Sequence, residues 1–461
     1  MQRQLRLQEK HYVTLKEHLF PGDGKEAVAV LLCGRYEANE NSILLSHDLI
    51  LIPHSECDRA ENHVRWRTER LFKFFELVEK HNFAIVKIHS HPTGYANFSS
   101  IDDDSDTAFF TAAFNWSETN SLHASLVMLP NGKMFGRVFT PRLTSFPIDR
   151  ISVAGNELCI WDNGESKLQP DSFAQRTIQA FGEGTYAKLK KLKIGVVGCS
   201  GTGSPTIEQL VRLGVGSIFL IDPDEIEDKN LNRIINSKQK DIGRSKVEVL
   251  AEVINNMGLG TTVRTAAENL FHSRKALCEL ITCDVIFGCV DSIDGRHLLS
   301  QLTNFYLIPY FDLGVRLIAD KKGGVKTVVG SVNYIQPGMS SLFSRGVYTQ
   351  ERLAAESMKR TDPSGYQELV NQKYIEGVDV DRPAVISVNM LISSIALMEF
   401  LNRIHPFKDD DAANYARIMI DYCGSCIENR NEDSFPADPI AVKWAGRGDC
   451  KPFLRMPELN L

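Results

Sequence analysis

The segment KIHSHPTGYANFSSIDDDSD (87–106) places His89 and His91 at the end of an apolar run, with Ser99 and Asp102 after them. Alternate residues of an extended segment share a face, so the two imidazoles project together and a turn can bring the carboxylate back to them. Two nitrogens and an oxygen are the donor set of a catalytic zinc site, which keeps a fourth position for water. Zinc makes that water acidic enough to act as hydroxide near neutral pH, and a further carboxylate must accept and deliver the proton. Glu26, at the head of the apolar run EAVAVLLCG, is the candidate. Taken alone, a His-X-His pair is equally compatible with a polar loop whose histidines happen to be close.

A second constellation lies at VVGCSGTGS, where Gly198, Gly201 and Gly203 separate an apolar run from a helical pattern. Glycines there let the backbone approach phosphate and let a helix N-terminus face it. Asp222 ends the next apolar run, where an acid can bond ribose hydroxyls. An NAD-binding unit, or a glycine turn with no ligand, would share these features. The following segment, DPDEIEDKNLNRIINSKQKDIGRSKVEVL, adds Asp224, Asn230, Asn232, Arg233 and Lys246. That density of phosphate partners suits transfer of AMP, in which charge builds on the α-phosphate and on departing pyrophosphate. Singly, Asn230 reads as a helix cap and Lys246 as a solvated charge.

The full His-X-His-Pro, Ser, Asp pattern resembles the JAMM signature of the JAB/MPN metalloprotease family. The resemblance implies that His89, His91 and Asp102 bind zinc, that Glu26 is general base and acid, and that Ser99 helps hold the tetrahedral oxyanion. Asp103 and Asp104 then begin the helix after the loop. Enzymes of that family hydrolyse peptide or isopeptide bonds after the C-terminal glycine of ubiquitin-like proteins. The second set resembles the ubiquitin-activating (ThiF/MoeB) superfamily, which includes adenylyltransferases of thiamine and molybdopterin sulfur carriers. There the glycines 198, 201 and 203 and Asp224 would border the nucleotide, and Asp222 would hold the ribose. Asn230, Arg233 and Lys246 would contact phosphates, and Asp291, in FGCVDS, would organise Mg²⁺. Arg176, in QRTIQAFGEG, matches an arginine that reaches into a partner's ATP site across a dimer.

Two departures stand out. Ser200 occupies the second glycine of the usual Gly-X-Gly-Gly-X-Gly loop. Relatives carry a cysteine after a Pro-Gly step like VNYIQPGMSSLFSRG, where this chain has Ser340, Ser341 and Ser344 and no thiol. Serine needs an activating base to do what a thiolate does unaided. Three readings remain open: the reaction stops at an acyl-adenylate, a serine takes an oxyester, or Cys423, Cys426 or Cys450 serves instead. The Cys423 and Cys426 pair is also compatible with half of a structural zinc site, of which relatives use two such pairs and this chain shows one.

These residues need scaffolds. At 461 residues the chain is long enough for two domains or more. Apolar runs at 26–34, 43–53 and before His89 read as strands, VRWRTERLFKFFELVEKH as a long helix, and Pro130-Asn131-Gly132 as a hairpin turn. From residue 173, strand, glycine loop and helix alternate, which implies a parallel sheet covered by helices. The expected fold class is α/β: a JAB/MPN-like zinc metallopeptidase domain over 1–160, a linker over 161–172, and a Rossmann-like ubiquitin-activating-type domain over 173–461. The polar stretch 349–383 reads as a surface excursion.

Composition narrows the function class. Net charge is −6 with no basic block, so a nucleic-acid surface is not expected. No apolar run reaches roughly 18 residues, so no membrane span is expected, and the charged N-terminus is unlike a signal peptide. Ten scattered cysteines suit reduced thiols in the cytoplasm. The two resemblances together imply a bifunctional, homodimeric enzyme, and the fusion resembles proteins of bacterial ubiquitin-like operons. It would use Zn²⁺, ATP and Mg²⁺ to activate and to release a ubiquitin-like protein ending in glycine, with a ubiquitin-conjugating-like enzyme as a further partner. Alternatives are a sulfur-carrier adenylyltransferase with precursor processing and a non-catalytic scaffold that grips a ubiquitin-like protein.

Overall fold

The computed structural model describes every residue except 39, 118, 165–170, 321, 373–384 and 460–461. Its first compact unit comprises Met1–Ser166 with Asn304–Leu307 and Trp444–Arg455; the second comprises Lys167–Thr303, Ile308–Lys443 and Met456–Leu461. Part of the 161–172 linker lies outside the described residues.

The first unit runs β1 (Gln2–Gln8), α1 (Glu9–Leu19), β2 (Val28–Ala38), β3 (Asn41–Leu51), β4 (Cys57–Arg59), β5 (Val64–Trp66), α2 (Phe75–His81), β6 (Ala84–Ser90) and α3 (Ser100–Ser117). It continues with β7 (His123–Met128), β8 (Met134–Phe139), β9 (Ser145–Pro147), β10 (Arg150–Ala154) and β11 (Leu158–Asp162). Nine strands form one sheet in the order β11-β10-β1-β3-β2-β6-β7-β8-β9. Because side chains alternate along a strand, β2 supplies two cores. Ala29, Leu31 and Cys33 face the layer of Leu15 and Leu19 of α1. Val28, Val30 and Leu32 face that of Phe109, Phe110 and Ala113 of α3.

The long helix expected from VRWRTERLFKFFELVEKH is not formed. Val64–Trp66 pairs with Cys57–Arg59 as a small hairpin, a 3-10 segment covers Thr68–Phe74, and only Phe75–His81 is α-helical. Val64 and Trp66 are strand-favouring residues flanking an arginine, and partner strand β4 overrides the helical spacing. The long helix is α3, whose Asp102, Asp106, Phe109, Phe110 and Ala113 make its buried stripe.

The second unit begins with α4 (Gln175–Lys191), β12 (Lys193–Val197), α5 (Gly203–Arg212), β13 (Ser217–Ile221), α6 (Lys246–Met257), β14 (Thr262–Ala266), α7 (Arg274–Ile281) and β15 (Val285–Gly288). Then come α8 (Ile293–Tyr306), β16 (Tyr310–Ala319), β17 (Val325–Ile335), α9 (Gln350–Thr361), α10 (Pro363–Asn371), α11 (Ile386–Ile404), β18 (Arg417–Asp421), β19 (Cys426–Arg430) and α12 (Pro439–Trp444). The sheet order is β14-β13-β12-β15-β16-β17-β18-β19. The first five strands are parallel and the last three antiparallel. The stretch expected as a surface excursion instead contains α9 and α10; its remainder, 373–383, lies outside the described residues. Among the described residues, no helix is long and apolar enough to cross a membrane.

Candidate functional site

In the first unit, β6 ends in His89 and Ser90, and His91 follows. β6 lies beside β2 with Val28 opposite His89, which sets Glu26 near the imidazoles. The Ala27 N–H donates to Ser90 Oγ at 2.9 Å, and the Glu26 N–H donates to the Ala60 carbonyl at 2.8 Å, so the backbone around the glutamate is pinned from both sides. The third group comes from the start of α3. Ser99 caps that helix: its N–H and Oγ both donate to Asp102 Oδ2 at 2.7 Å, which turns the carboxylate toward the histidines.

The result is a buried N,N,O cluster. His89 Nε2 lies 2.9 Å from Asp102 Oδ1, His91 Nε2 lies 3.4 Å from Asp102 Oδ2, and the two Nε2 atoms are 3.1 Å apart. His91 Nδ1 donates to the Tyr95 carbonyl at 2.7 Å, which fixes the tautomer and leaves Nε2 with its lone pair, as a metal-binding imidazole requires. His89 Nδ1 is buried without a hydrogen-bond partner among the described residues. Convergent ring nitrogens and a carboxylate, none turned outward, fit a zinc ion. This trio is the group of three or more His, Cys, Asp or Glu side chains among the described residues that converges closely enough to hold an ion. Cys423 and Cys426 are exposed and belong to no such group.

Glu26 is buried, with Oε1 4.0 Å from His91 Nε2. Burial pushes its carboxyl up to about 7, helped by Asp102 and opposed by His91 and Lys87. Burial lowers His89. Burial also pulls on His91, but Asp102 and the Tyr95 carbonyl hold it above the usual range. Asp102 resists its own desolvation through its bonds to both histidines and stays well below the carboxylate range. Lys87, on the same face of β6, is a buried cation paired with Asp106 and borders the cleft formed by Glu26, His63, Trp66, His89 and Asp102.

In the second unit, a cavity of about 550 Å³ opens where β12, β13 and β15 end. Strand order reverses between β12 and β15, and open α/β sheets bind ligands outside the carboxyl ends at such a reversal. The cavity is lined by Gly198 and Gly201 of the glycine loop, Asp222, Asp224, Asn230, Arg233, Lys246 and Asp291. Gly203 opens α5 beneath it. Gly198 has φ +89°, and a Cβ there would lie 2.5 Å from the Cys289 carbonyl oxygen; only glycine fits.

Asp222 is nearly buried. Its Oδ2 accepts the Cys199 N–H at 2.7 Å and its Oδ1 the Asp224 N–H at 3.0 Å. Burial raises its carboxyl even so, against Lys246 and these N–H groups. Lys246 Nζ donates to Asp224 Oδ2 at 2.7 Å and reaches Asp222 Oδ1 at 3.4 Å. Burial opposes its charge, yet the two acids hold its ammonium above the usual range. Arg233 borders the cavity while donating to the Lys229 carbonyl at 2.8 Å. Asn230 does both jobs open to it: it lines the cavity and its Oδ1 caps the turn at Glu227.

Arg176 is not among the lining residues. It lies on an exposed turn of α4 and donates to Gln179 Oε1 at 2.9 Å. The loop without a thiol is closed: Ser340 is buried and its Oγ accepts from Arg345 Nε at 2.8 Å; Ser341 is buried and its Oγ donates to Asp438 Oδ2 at 2.5 Å; Ser344 Oγ accepts the Ser341 N–H. Cys450 is half-buried, and burial raises its thiol.

Several cavity residues carry little sequence signal. Arg296, on α8, pairs with the buried Asp312 at 3.2 Å; in sequence it is one arginine in an amphipathic stretch. Leu270 and Phe271 give the cavity an apolar wall. Cys289 lines it, but burial pushes its thiol up to about 12. Asn389, inside the apolar run ISVNMLISSIALMEF, is the one whose signal was readable: a lone amide among core residues.

Comparison with known proteins gives two family matches: the ThiF family over residues 174–423 and prokaryotic homologs of the JAB domain over 8–137. Ubiquitin-like modifier-activating enzyme 5 of Bombyx mori is 27% identical over 169 residues, covering 34% of this chain and 41% of that protein. The Xenopus laevis enzyme of the same name is 28% identical over 170 residues, again 34% and 41%. The chain spans about two-fifths of the length of these curated relatives. Among solved structures, E. coli MccB with ATP matches at 19% identity and TM-score 0.45 over 59% of this chain and 75% of that one. The microcin C7 biosynthetic enzyme MccB with N-formylated MccA matches at 15% and 0.46, over 90% and 100%.

Proposed function

Because the chain belongs to the ThiF family and carries a domain of the prokaryotic JAB homologs at its N-terminal end, we propose that it is a bifunctional enzyme acting on a glycine-ending ubiquitin-like protein. One site adenylates the terminal carboxylate with ATP. The other hydrolyses peptide or isopeptide bonds after that glycine. The observation that carries the reading is the convergence of the glycine loop, Asp222, Arg233, Lys246 and Asp291 on one cavity at the strand-order reversal.

In the adenylation site, Asp222 bonds the ribose and the apolar wall of Leu270 and Phe271 receives the base. The loop N–H groups and the N-terminus of α5 face the phosphates. The glycine carboxylate attacks the α-phosphorus, the bond to pyrophosphate breaks, and Arg233 and Lys246 take up the charge that moves onto the leaving group. Asp291 would hold the Mg²⁺ that neutralises the phosphates. Among the described residues, Cys289 is the cysteine that lines the cavity, and burial raises its thiol, as it does that of the neighbouring Cys199 of the glycine loop. The closed Ser340–Ser341 loop offers no free hydroxyl. These facts support the acyl-adenylate as the product released to a downstream acceptor.

In the hydrolytic site, zinc held by His89, His91 and Asp102 would supply an acidified water and polarise the scissile carbonyl. Glu26 takes the water's proton on its carboxylate and returns it to the departing amine. Ser99 orients Asp102 through its two hydrogen bonds.

Two assays test the proposal. Purified protein with ATP, Mg²⁺ and a β-grasp carrier ending in glycine should exchange pyrophosphate into ATP, and Asp291→Ala should abolish the exchange; an unaffected variant would defeat the site. Glu26→Gln should retain one zinc per chain and lose cleavage of a carrier fusion, whereas cleavage at the parent rate would defeat the base.

A further inference from the structure

α11 is an apolar helix that packs against α5, with Ile392, Ala396 and Leu397 among its buried residues. Its polar residues on that side are satisfied. Ser393 Oγ lies 2.8 Å from Thr206 Oγ1 and accepts from Gln209 Nε2 at 3.0 Å. One turn earlier, Asn389 is an exception. It is 2% exposed, and its amide Nδ2 is buried with no hydrogen-bond partner. Native proteins rarely leave a buried donor unpaired, and such a group asks for an explanation.

The surroundings supply one. Asn389 lines the cavity and sits directly against the glycine loop: a Cβ on Gly201 would meet Asn389 Nδ2 at 2.5 Å and its Cγ at 3.1 Å. Gly201 is therefore required by the amide above it as much as by a ligand. The loop and the N-terminus of α5 enclose the place where a phosphate oxygen would rest, and an anionic oxygen is the acceptor that an unpaired NH₂ lacks.

We infer that Asn389 is a phosphate-binding residue: its amide donates to a phosphate oxygen of the nucleotide held on the glycine loop. This rests on the reading of the cavity as an ATP site. The contact is made only to a phosphate, so it adds affinity for ATP and ADP and none for adenosine.

The test is calorimetric binding of ATP, ADP and adenosine to the full chain and to two variants. Asn389→Ala removes the donor. Asn389→Asp keeps the shape and replaces the donor with a carboxylate oxygen, so it carries the test where the alanine variant does not fold. Each variant's melting temperature without nucleotide reports its folding. A hydrogen bond to a charged group is worth about 10- to 100-fold in affinity. Both variants should lose that much for ATP and ADP, the aspartate variant at least as much as the alanine one, with adenosine binding unchanged. An ATP-to-adenosine affinity ratio equal to wild type in either folded variant overturns the assignment and leaves the ATP site standing. A wild-type chain that binds no nucleotide overturns both.

Discussion

Gly203→Ala separates backbone crowding from helix propensity, because the two predict opposite signs. Gly203 is the first residue of α5, where alanine is favoured over glycine by up to about 1 kcal/mol. A Cβ at that position would lie 1.9 Å from the Gly198 carbonyl oxygen and 2.9 Å from its carbon. Reaching an ordinary 3.4 Å contact needs an opening of about 1.5 Å. The obstacle is backbone that has little freedom to yield. Gly198 is held at φ +89°, its N–H donates to the Ile221 carbonyl at 2.8 Å, and the Cys289 backbone lies behind it. Overpacking of this kind costs roughly 1–3 kcal/mol, so after the full propensity gain of about 1 kcal/mol the net loss is about 0–2 kcal/mol. A displacement near 1 Å in a loop that positions phosphates can cost about 10²-fold in rate. Urea unfolding gives the first quantity and ATP–pyrophosphate exchange the second. Gly184→Ala in α4, where nothing lies within 4 Å, is the control and should gain about 0.5–1 kcal/mol. If Gly203→Ala proves as stable as the parent and exchanges pyrophosphate at the parent rate, the close approach of the loop to α5 is wrong.

Other outcomes follow from the same contacts. Lys246→Met strips the ammonium from Asp222, whose carboxyl burial already raises, so it rises further; ATP affinity should fall about 10-fold or more and recover partly as the pH is raised and Asp222 ionises. A calorimetric affinity that is flat in pH would contradict this. Because burial raises Cys199 and Cys289 while Cys423 and Cys426 are exposed, brief alkylation of the native protein near pH 8 should label Cys423 and Cys426 first. Peptide mass spectrometry showing Cys289 modified as fast would reopen a thioester in the cavity. Arg345 is fully buried and pairs with Glu432 at 2.6 Å, so Glu432→Ala strands a cation and should cost about 3–5 kcal/mol in urea unfolding; a loss below about 1 kcal/mol would mean that Arg345 is satisfied by Ser340 Oγ and the Tyr334 and Ala416 carbonyls without the carboxylate.

Much of the chemistry was written locally. His89, His91, Ser99 and Asp102 lie within one strand, one loop and one helix start, and local rules of alternation and capping bring them together. The glycine loop and Asp222 are likewise one strand–loop–helix–strand unit. The helix expected at 64–81 failed for the complementary reason. Its apolar spacing was real, but a partner strand at Cys57–Arg59 competes for the same backbone, and pairing is invisible to periodicity.

By itself, then, the order of residues determined which donors exist, which of them share a strand face or a helix cap, and that a parallel α/β sheet follows residue 173. Tertiary structure alone decided that Glu26 lies 4.0 Å from His91, that Arg296 and Asn389 border the same cavity as the glycine loop, and that Ser340 and Ser341 are shut in by Arg345 and Asp438. It also decided that Trp444–Arg455 belongs with the first unit. The physical reason is separation along the chain. Hydrogen bonds and side-chain periodicity act over a few residues and leave a mark in the sequence, whereas contacts between residues tens to hundreds of positions apart depend on how whole sheets and helices bury their apolar faces.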